Sequence, residues 1–350
     1  MPPHRKIRLP VVTIREVAAR AGVSPASVTR VIGGYPNVSP ALRGRVIEAV
    51  TELGYTPDLL ATGLRRGTTQ TIGVLINDIL NPAIARMVDI IESELRTAGY
   101  GVIFANSNGT PANDLESLLL LRQRRVDALI ASFADDTNEE LGRAVAGLSI
   151  PTVLLDRKMV VDGIFAVLTD HHSAACVLTQ HLIDMGHTKI ALVNGSISGY
   201  PSRERLSAIE QTMKKNGLTL PDGFEIMGRG SEALGRNAVA QIFSTSAPPT
   251  AIVVGNGNTG ALAGVLGEIR DRGIIIGRDL AVAAAEDSPL ASLHTPPITA
   301  LTRDIDGVAL RATWLTLQLL GKKPLKAFEI VLPMSLVIRE STNWRLPSPA

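Results

Sequence analysis

Near the N-terminus, apolar positions recur at helical spacing between complete start and stop signals. Thr13 and Glu16 form a T-x-x-E capping box, Ile14, Val17, Ala18 and Ala21 follow on one helical face, and Gly22 ends the run. Ser24 is an N-cap, and Pro25 takes the first helical position, where its missing N–H costs nothing. A second helix is therefore expected from about Pro25 to Ile32, stopped by Gly33 and Gly34. Ser39 and Pro40 repeat this chemistry before a third helix, whose apolar face reads as Val46, Ile47, Val50 and Leu53, with Gly54 as its stop. Two short helices joined by a glycine-containing turn are the helix-turn-helix pattern, in which the second helix enters the DNA major groove.

Downstream the pattern changes to strand-like apolar runs alternating with helical stretches. TIGVLI, GVIFAN, DALIAS and TVLLD are separated by amphipathic segments, and the alternation resumes with KIALVNG, AIVVG and LAVAAA. This is an α/β pattern of parallel sheets flanked by helices, long enough for two lobes. Ligands in such folds bind beyond the carboxyl ends of the strands. Loop residues just after each run are the ones to search.

Charge sharpens the picture. From Met1 to Arg66 ten basic side chains face four acidic ones, a net +6, whereas the whole chain is +2. A basic head on a mildly acidic body suits phosphate neutralisation by one end of the molecule. The bland alternative is a helical docking or dimerisation bundle with a solvated basic face.

The run TIREVAARAGVSPASVTRVI, then NVS, LGYTPD and LATGLRRG, resembles the headpiece and hinge of the lac repressor (LacI/GalR) family of transcription regulators. The likeness continues in family order through IGVLINDILNP, RRVDALI, IPTVLLDR, HLIDMGHTKIALVNG, RERLSAI, PPITALTRD and LPMSLVIREST. The resemblance implies a helix-turn-helix headpiece over residues 1–57, a hinge helix or linker over 58–67, and a two-lobed, periplasmic-binding-protein-like core over 68–345. Its N-lobe would take about 68–168 plus 302–331, and its C-lobe about 169–301 plus 332–345. It also implies base reading by Pro25, Ala26 and Arg30, with Arg30 able to bond guanine bidentately. Thr13, Ser24, Thr29 and Ser39 match phosphate-contacting hydroxyls, though the serines and Thr13 would serve as caps in any helical protein. Leu64 matches the leucine that wedges into the operator's minor groove. Asp58 and Gly33 stand where the family usually has asparagines.

An effector is implied between the lobes, a sugar, sugar acid or related metabolite. Matching places Asp156, Arg157, Arg205, Glu286 and an asparagine in its site. That asparagine is Asn258 or Asn256, because the family's ND falls in GNGNTG. Asp170 matches an aspartate where the chain crosses between lobes. For these acids a capped loop or surface ion pair is the competing role. Stacking aromatics are absent: NPFF reads Asn81, Pro82, Ala83, Ile84, and Gly230 stands where an aromatic often lies. With Arg203, Arg205 and Arg229 flanking it, the cleft would suit a small anion better than a neutral sugar.

One motif argues for an enzyme. Gly255, Gly257 and Gly260 spell G-x-G-x-x-G between a strand and a helix, which alone is a dinucleotide fingerprint. Its late position, and the fit of the family's own segment over Asn258 to Glu286, argue against a nicotinamide cofactor. The six histidines show no metal spacing, Cys176 reads as a core thiol, and there is no phosphate loop of the kind a sugar kinase fused to a helix-turn-helix would carry. No cofactor, metal or catalytic activity is expected. The single cysteine, and the lack of a signal peptide or long apolar span, point to the cytoplasm and to no membrane contact. The reading is a homodimeric repressor that binds a pseudo-palindromic double-stranded operator under effector control.

Overall fold

The computed structural model describes residues 12–55, 68–255, 259–322 and 328–344. The chain divides into two compact units, Met1–Thr69 and Gln70–Ala350.

In the first unit, α1 (Ile14–Ala21), α2 (Pro25–Ile32) and α3 (Pro40–Leu53) close on one small core. Both halves of the capping box form: Thr13 N donates to Glu16 Oε2 at 2.6 Å, and Glu16 N donates back to Thr13 Oγ1 at 3.4 Å. Gly22, at φ +62°, takes the left-handed conformation that turns the chain toward α2. Val17, Val28 and Val46 meet in the core and are fully buried. Ile47 is a correction to the expected apolar face, because it is 52 % exposed and Ala49 is buried instead. At about 100° per residue, positions 46, 49, 50 and 53 share a stripe that 47 falls outside. The hinge Asp58–Arg66, with Leu64, lies outside the described residues.

In the second unit, β1 (Thr71–Ile76), β2 (Gly101–Asn106), β3 (Ala128–Ala131), β4 (Thr152–Leu155), β5 (Phe165–Thr169) and β11 (Glu329–Leu332) form one sheet. Its order is β11-β5-β4-β3-β1-β2, with every pair parallel. A second sheet holds β6 (Ile190–Asn194), β7 (Glu225–Met227), β8 (Ala251–Val254), β9 (Ala281–Ala284), β10 (Thr299–Arg303) and β12 (Met334–Val337). Its order is β12-β10-β9-β8-β6-β7, and β12 runs antiparallel to β10.

Each sheet is apolar on both faces because helices cover both. Ile72, Val74 and Ile76 of β1 point to helices Pro82–Thr97 and Ile305–Leu320, whereas Leu75 points to Pro111–Gln123 and Glu139–Ala146. The second sheet is covered by Glu232–Ile242 and Thr259–Asp271 on one face, and by His171–Asp184 and Tyr200–Lys215 on the other. Gly235 and Gly264 bring the first of these helix pairs into backbone contact. A Cβ on Gly235 would lie 2.2 Å from the Ala261 carbonyl oxygen, and one on Gly264 2.0 Å from that of Glu232. The chain passes between the sheets after β5, after β10 and between β11 and β12. Among the described residues no helix is long and apolar enough to cross a membrane.

Candidate functional site

The caps of the first unit hold α2 with one face free. Ser24 Oγ accepts Ser27 N at 3.2 Å, Thr29 Oγ1 donates to the Pro25 carbonyl at 3.0 Å, and Ser39 Oγ accepts Leu42 N at 3.4 Å. These hydroxyls and Thr13 are thus already engaged within the protein, although Thr13, Ser24 and Ser39 remain exposed. Val28 and Val31 face inward, while Pro25, Ala26 and Arg30 face outward. The Arg30 guanidinium makes no hydrogen bond or ion pair with any described residue. Its fork is available for a planar acceptor pair.

In the second unit the carboxyl ends of both sheets meet around a cavity of about 190 Å³. Asn77 and Asp78 follow β1, Ser132 and Ala134 follow β3, and Asp156 and Arg157 follow β4. From the other sheet come Ser196 after β6, Arg229 after β7, Glu286 after β9 and Arg303 at the end of β10. The cavity also takes in Arg205, from the helix Tyr200–Lys215, and His171. Of the five residues expected at an effector, Asp156, Arg157, Arg205 and Glu286 therefore share one cavity. Asn258 and Asn256 lie outside the described residues.

A buried ion triad spans this cleft. Arg303 Nε and Nη2 donate to Glu286 Oε1 at 3.0 and 2.7 Å, and Nη1 donates to Asp156 Oδ2 and, at 3.3 Å, to Thr169 Oγ1. Asp156 adopts a left-handed backbone, φ +47°, and accepts Thr169 N at 2.7 Å. Burial opposes its ionisation. Arg303, then His171 and the Thr169 bond, outweigh that and hold its carboxyl far below the usual carboxylate range. His171 Nε2 lies 3.6 Å from Asp156 Oδ1, beyond hydrogen-bond reach, and neither of its ring nitrogens has a partner among the described residues. Burial lowers its pKa despite Asp156, so the ring is neutral at pH 7.

The arginines divide by partner. Arg157 donates to the Phe133 carbonyl and, at 2.6 Å, to that of Asp156. Arg205 Nε donates to Asn194 Oδ1 at 3.2 Å, and Asn194 Nδ2 to the Ser202 carbonyl at 3.0 Å. Arg203 departs from expectation. It pairs with Asp136 at 2.7 Å and lies outside this cavity, because Asp136 also accepts Lys158 N and Tyr200 N and so ties the two lobes together. Asp170 caps the helix His171–Asp184 through Ser173 N, and Asp287 is held by Arg339.

Arg303, Asp136, His171 and Asn194 are functional candidates that sequence reasoning missed. Arg303 stood within PPITALTRD and Asn194 within KIALVNG, each at the carboxyl end of a strand, which was the available signal. Gly255 turns out to have a local purpose. A Cβ there would sit 2.5 Å from Asn194 Oδ1 and 3.0 Å from Arg205 Nε, so the glycine makes room for that pair. Cys176 is only half-buried, with Sγ 3.9 Å from the Ala208 carbonyl, because it faces the neighbouring helix instead of the core.

A capped helix-turn-helix unit on the same chain as a doubly wound, two-lobed core with a polar cleft defines a ligand-controlled DNA-binding regulator. Residues 13–58 match the model of bacterial regulatory proteins of the lacI family, and residues 179–342 match a periplasmic binding protein-like domain. The chain is 33 % identical to the ribose operon repressor of Escherichia coli K12 over 295 residues, covering 84 % of this chain and 88 % of that protein. It is 30 % identical to catabolite control protein A of Priestia megaterium over 336 residues, 95 % of this chain and 99 % of that one. The structure of the lac repressor dimer bound to operator and the anti-inducer ONPF superposes with a TM-score of 0.80 at 27 % identity, covering 95 % and 99 % of the two chains. The chain belongs to the LacI family of bacterial regulatory proteins and is a transcription regulator, not an enzyme.

Proposed function

We propose that this chain is a repressor that reads a pseudo-palindromic operator through Pro25, Ala26 and Arg30 of α2 and releases or grips it according to an effector in the cleft between the lobes. The observation that carries the reading is Arg303, which joins Asp156 of one lobe to Glu286 of the other within the cavity. A ligand touching either acid shifts the balance between lobe arrangements, and an effector controls affinity only through such a difference between states. Thr13, Ser24, Thr29 and Ser39 set the docking on phosphates, and Leu64 in the hinge 58–67 supplies the minor-groove wedge. A homodimer in the cytoplasm follows, since half-sites are read in pairs.

Selection of the full chain on random double-stranded DNA tests this. The expected product is an inverted repeat, and Arg30→Ala should lose about 1–3 kcal/mol of discrimination at one position per half-site. Equal weakening on the repeat and on random DNA would reduce Arg30 to a phosphate contact.

A further inference from the structure

Arg157 and Arg205 are only 7 % and 6 % exposed, yet neither has a carboxylate oxygen within 4.0 Å among the described residues. Arg157 is held by two backbone carbonyls, and Arg205 by the neutral Asn194 side chain alone, which leaves both its η nitrogens without a described partner. Burial pulls the Arg205 pKa down to about 10, which still leaves it charged at neutral pH. A buried, uncompensated charge is costly, and proteins retain one where something else supplies the counter-charge. Arg157 has Asp136 and the buried Asp114 in its surroundings, whereas the acids that act on Arg205, Glu286 and Asp156, cannot serve it. Asp156 and Glu286 are both committed to Arg303. Arg229, exposed and free of any bond to a described residue, adds a third cation over Gly109, where a Cβ would lie 3.6 Å from its Nε.

We propose that the effector is a small hydroxylated anion whose carboxylate or phosphate docks on the η nitrogens of Arg205, with Arg157 and Arg229 completing the positive surround. The idea rests on the cleft being the effector site, and it adds the ligand's charge class. A neutral polyol needs acceptors for its hydroxyl protons, and Arg303 has taken the two best ones. An anion needs donors, and the cleft has kept them. The buried Asn77 Oδ1, which has no partner among the described residues, and the neutral His171 remain for the ligand's hydroxyl groups. The cavity volume of about 190 Å³ suits a molecule of monosaccharide size.

The test uses the full-length protein and matched probes: glucose, gluconate and glucose 6-phosphate; galactose and galacturonate; ribose and ribose 5-phosphate; and inorganic phosphate. Calorimetry and thermal unfolding should show saturable binding of an anion at least ten-fold tighter than its neutral counterpart. Arg205→Met should abolish the ligand-induced rise in unfolding temperature, whereas that rise would persist in the variant if the arginine had a merely structural role. Should Arg205→Met fail to fold, Arg229→Ala, at an exposed site, should still weaken the anion several-fold. Preferential binding of neutral sugars, no binding by any anion in the panel, or an undiminished ligand-induced shift in Arg205→Met would each overturn the proposal. Operator release, followed in parallel, separates the two readings. A neutral sugar that releases the operator sinks the charge class alone, while an anion that binds without altering operator affinity supports the charge class and sinks the effector role.

Discussion

Replacing Arg303 by methionine removes the cation shared by two shielded carboxylates. The Arg303, Asp156 and Glu286 side chains are 6 %, 9 % and 15 % exposed, so water cannot take over the role of the guanidinium. Breaking a buried pair from one side costs about 3–5 kcal/mol, because the remaining charge is left uncompensated. Asp156 keeps the Thr169 N–H at 2.7 Å, which places the expected loss near the lower end, about 3 kcal/mol. At about 2–4 °C per kcal/mol, the unfolding temperature should fall by roughly 6–12 °C. The loss must also depend on pH in a defined direction. In the native protein Asp156 is held below its ordinary value of 3.8, so its contribution is present above that pH and lost only in stronger acid. Without Arg303, burial pushes the same carboxyl upward, and lowering the pH neutralises it. The stability gap between the two proteins should therefore be widest near neutrality and shrink toward pH 4.5. Urea unfolding followed by circular dichroism at pH 7.5 and 4.5 measures this. An equal gap at both values, or a variant as stable as the native protein at pH 7.5, would refute the triad.

Gly255→Ala should break the Asn194–Arg205 bond, since its Cβ would sit 2.5 Å from Asn194 Oδ1. The expected loss is about 1–3 kcal/mol, with weakened anion binding in the same calorimetric assay, and an unchanged variant would show that Asn194 does not position Arg205. His187 donates to or accepts from Thr250 Oγ1 at 3.0 Å and packs edge-on to Trp344, and burial, reinforced by His181, lowers its pKa to about 4. The unfolded chain thus binds this proton more tightly than the native one. Stability should be full above pH 6.5 and decline as pH falls toward 4. His187→Gln should flatten that decline when urea midpoints are compared at pH 7.5 and 5; an unchanged slope would assign it to other groups.

Much of the architecture could be read from local patterns. The capping box at Thr13, the Ser24–Pro25 and Ser39–Pro40 starts and the glycine stops define the first three helices, because caps satisfy backbone groups within a few residues of themselves. The alternation of apolar runs likewise gave an α/β core, since a strand buried on both faces needs an unbroken apolar stretch. Four of the five expected cleft residues share the cavity, and three of them, Asp156, Arg157 and Glu286, follow directly on strands, where the loops of both sheets converge. Ile47 was misread because its apolar character says nothing about its angle to the core.

Pairing across distance belongs to the tertiary structure alone. Arg303 is 147 positions from Asp156 and 17 from Glu286, and only the meeting of two sheets makes it their common partner. The commitment of Arg203 to Asp136, and the isolation of Arg205 beside Asn194, likewise depend on which loops face each other. Sequence patterns determine a residue's local backbone and its chance of burial. A counter-ion is chosen by whatever the fold brings within about 4 Å, because the interaction falls off with distance and burial decides how strongly it is felt. Residue types could show that the cleft is rich in arginine; the fold alone shows which arginines are left without a partner.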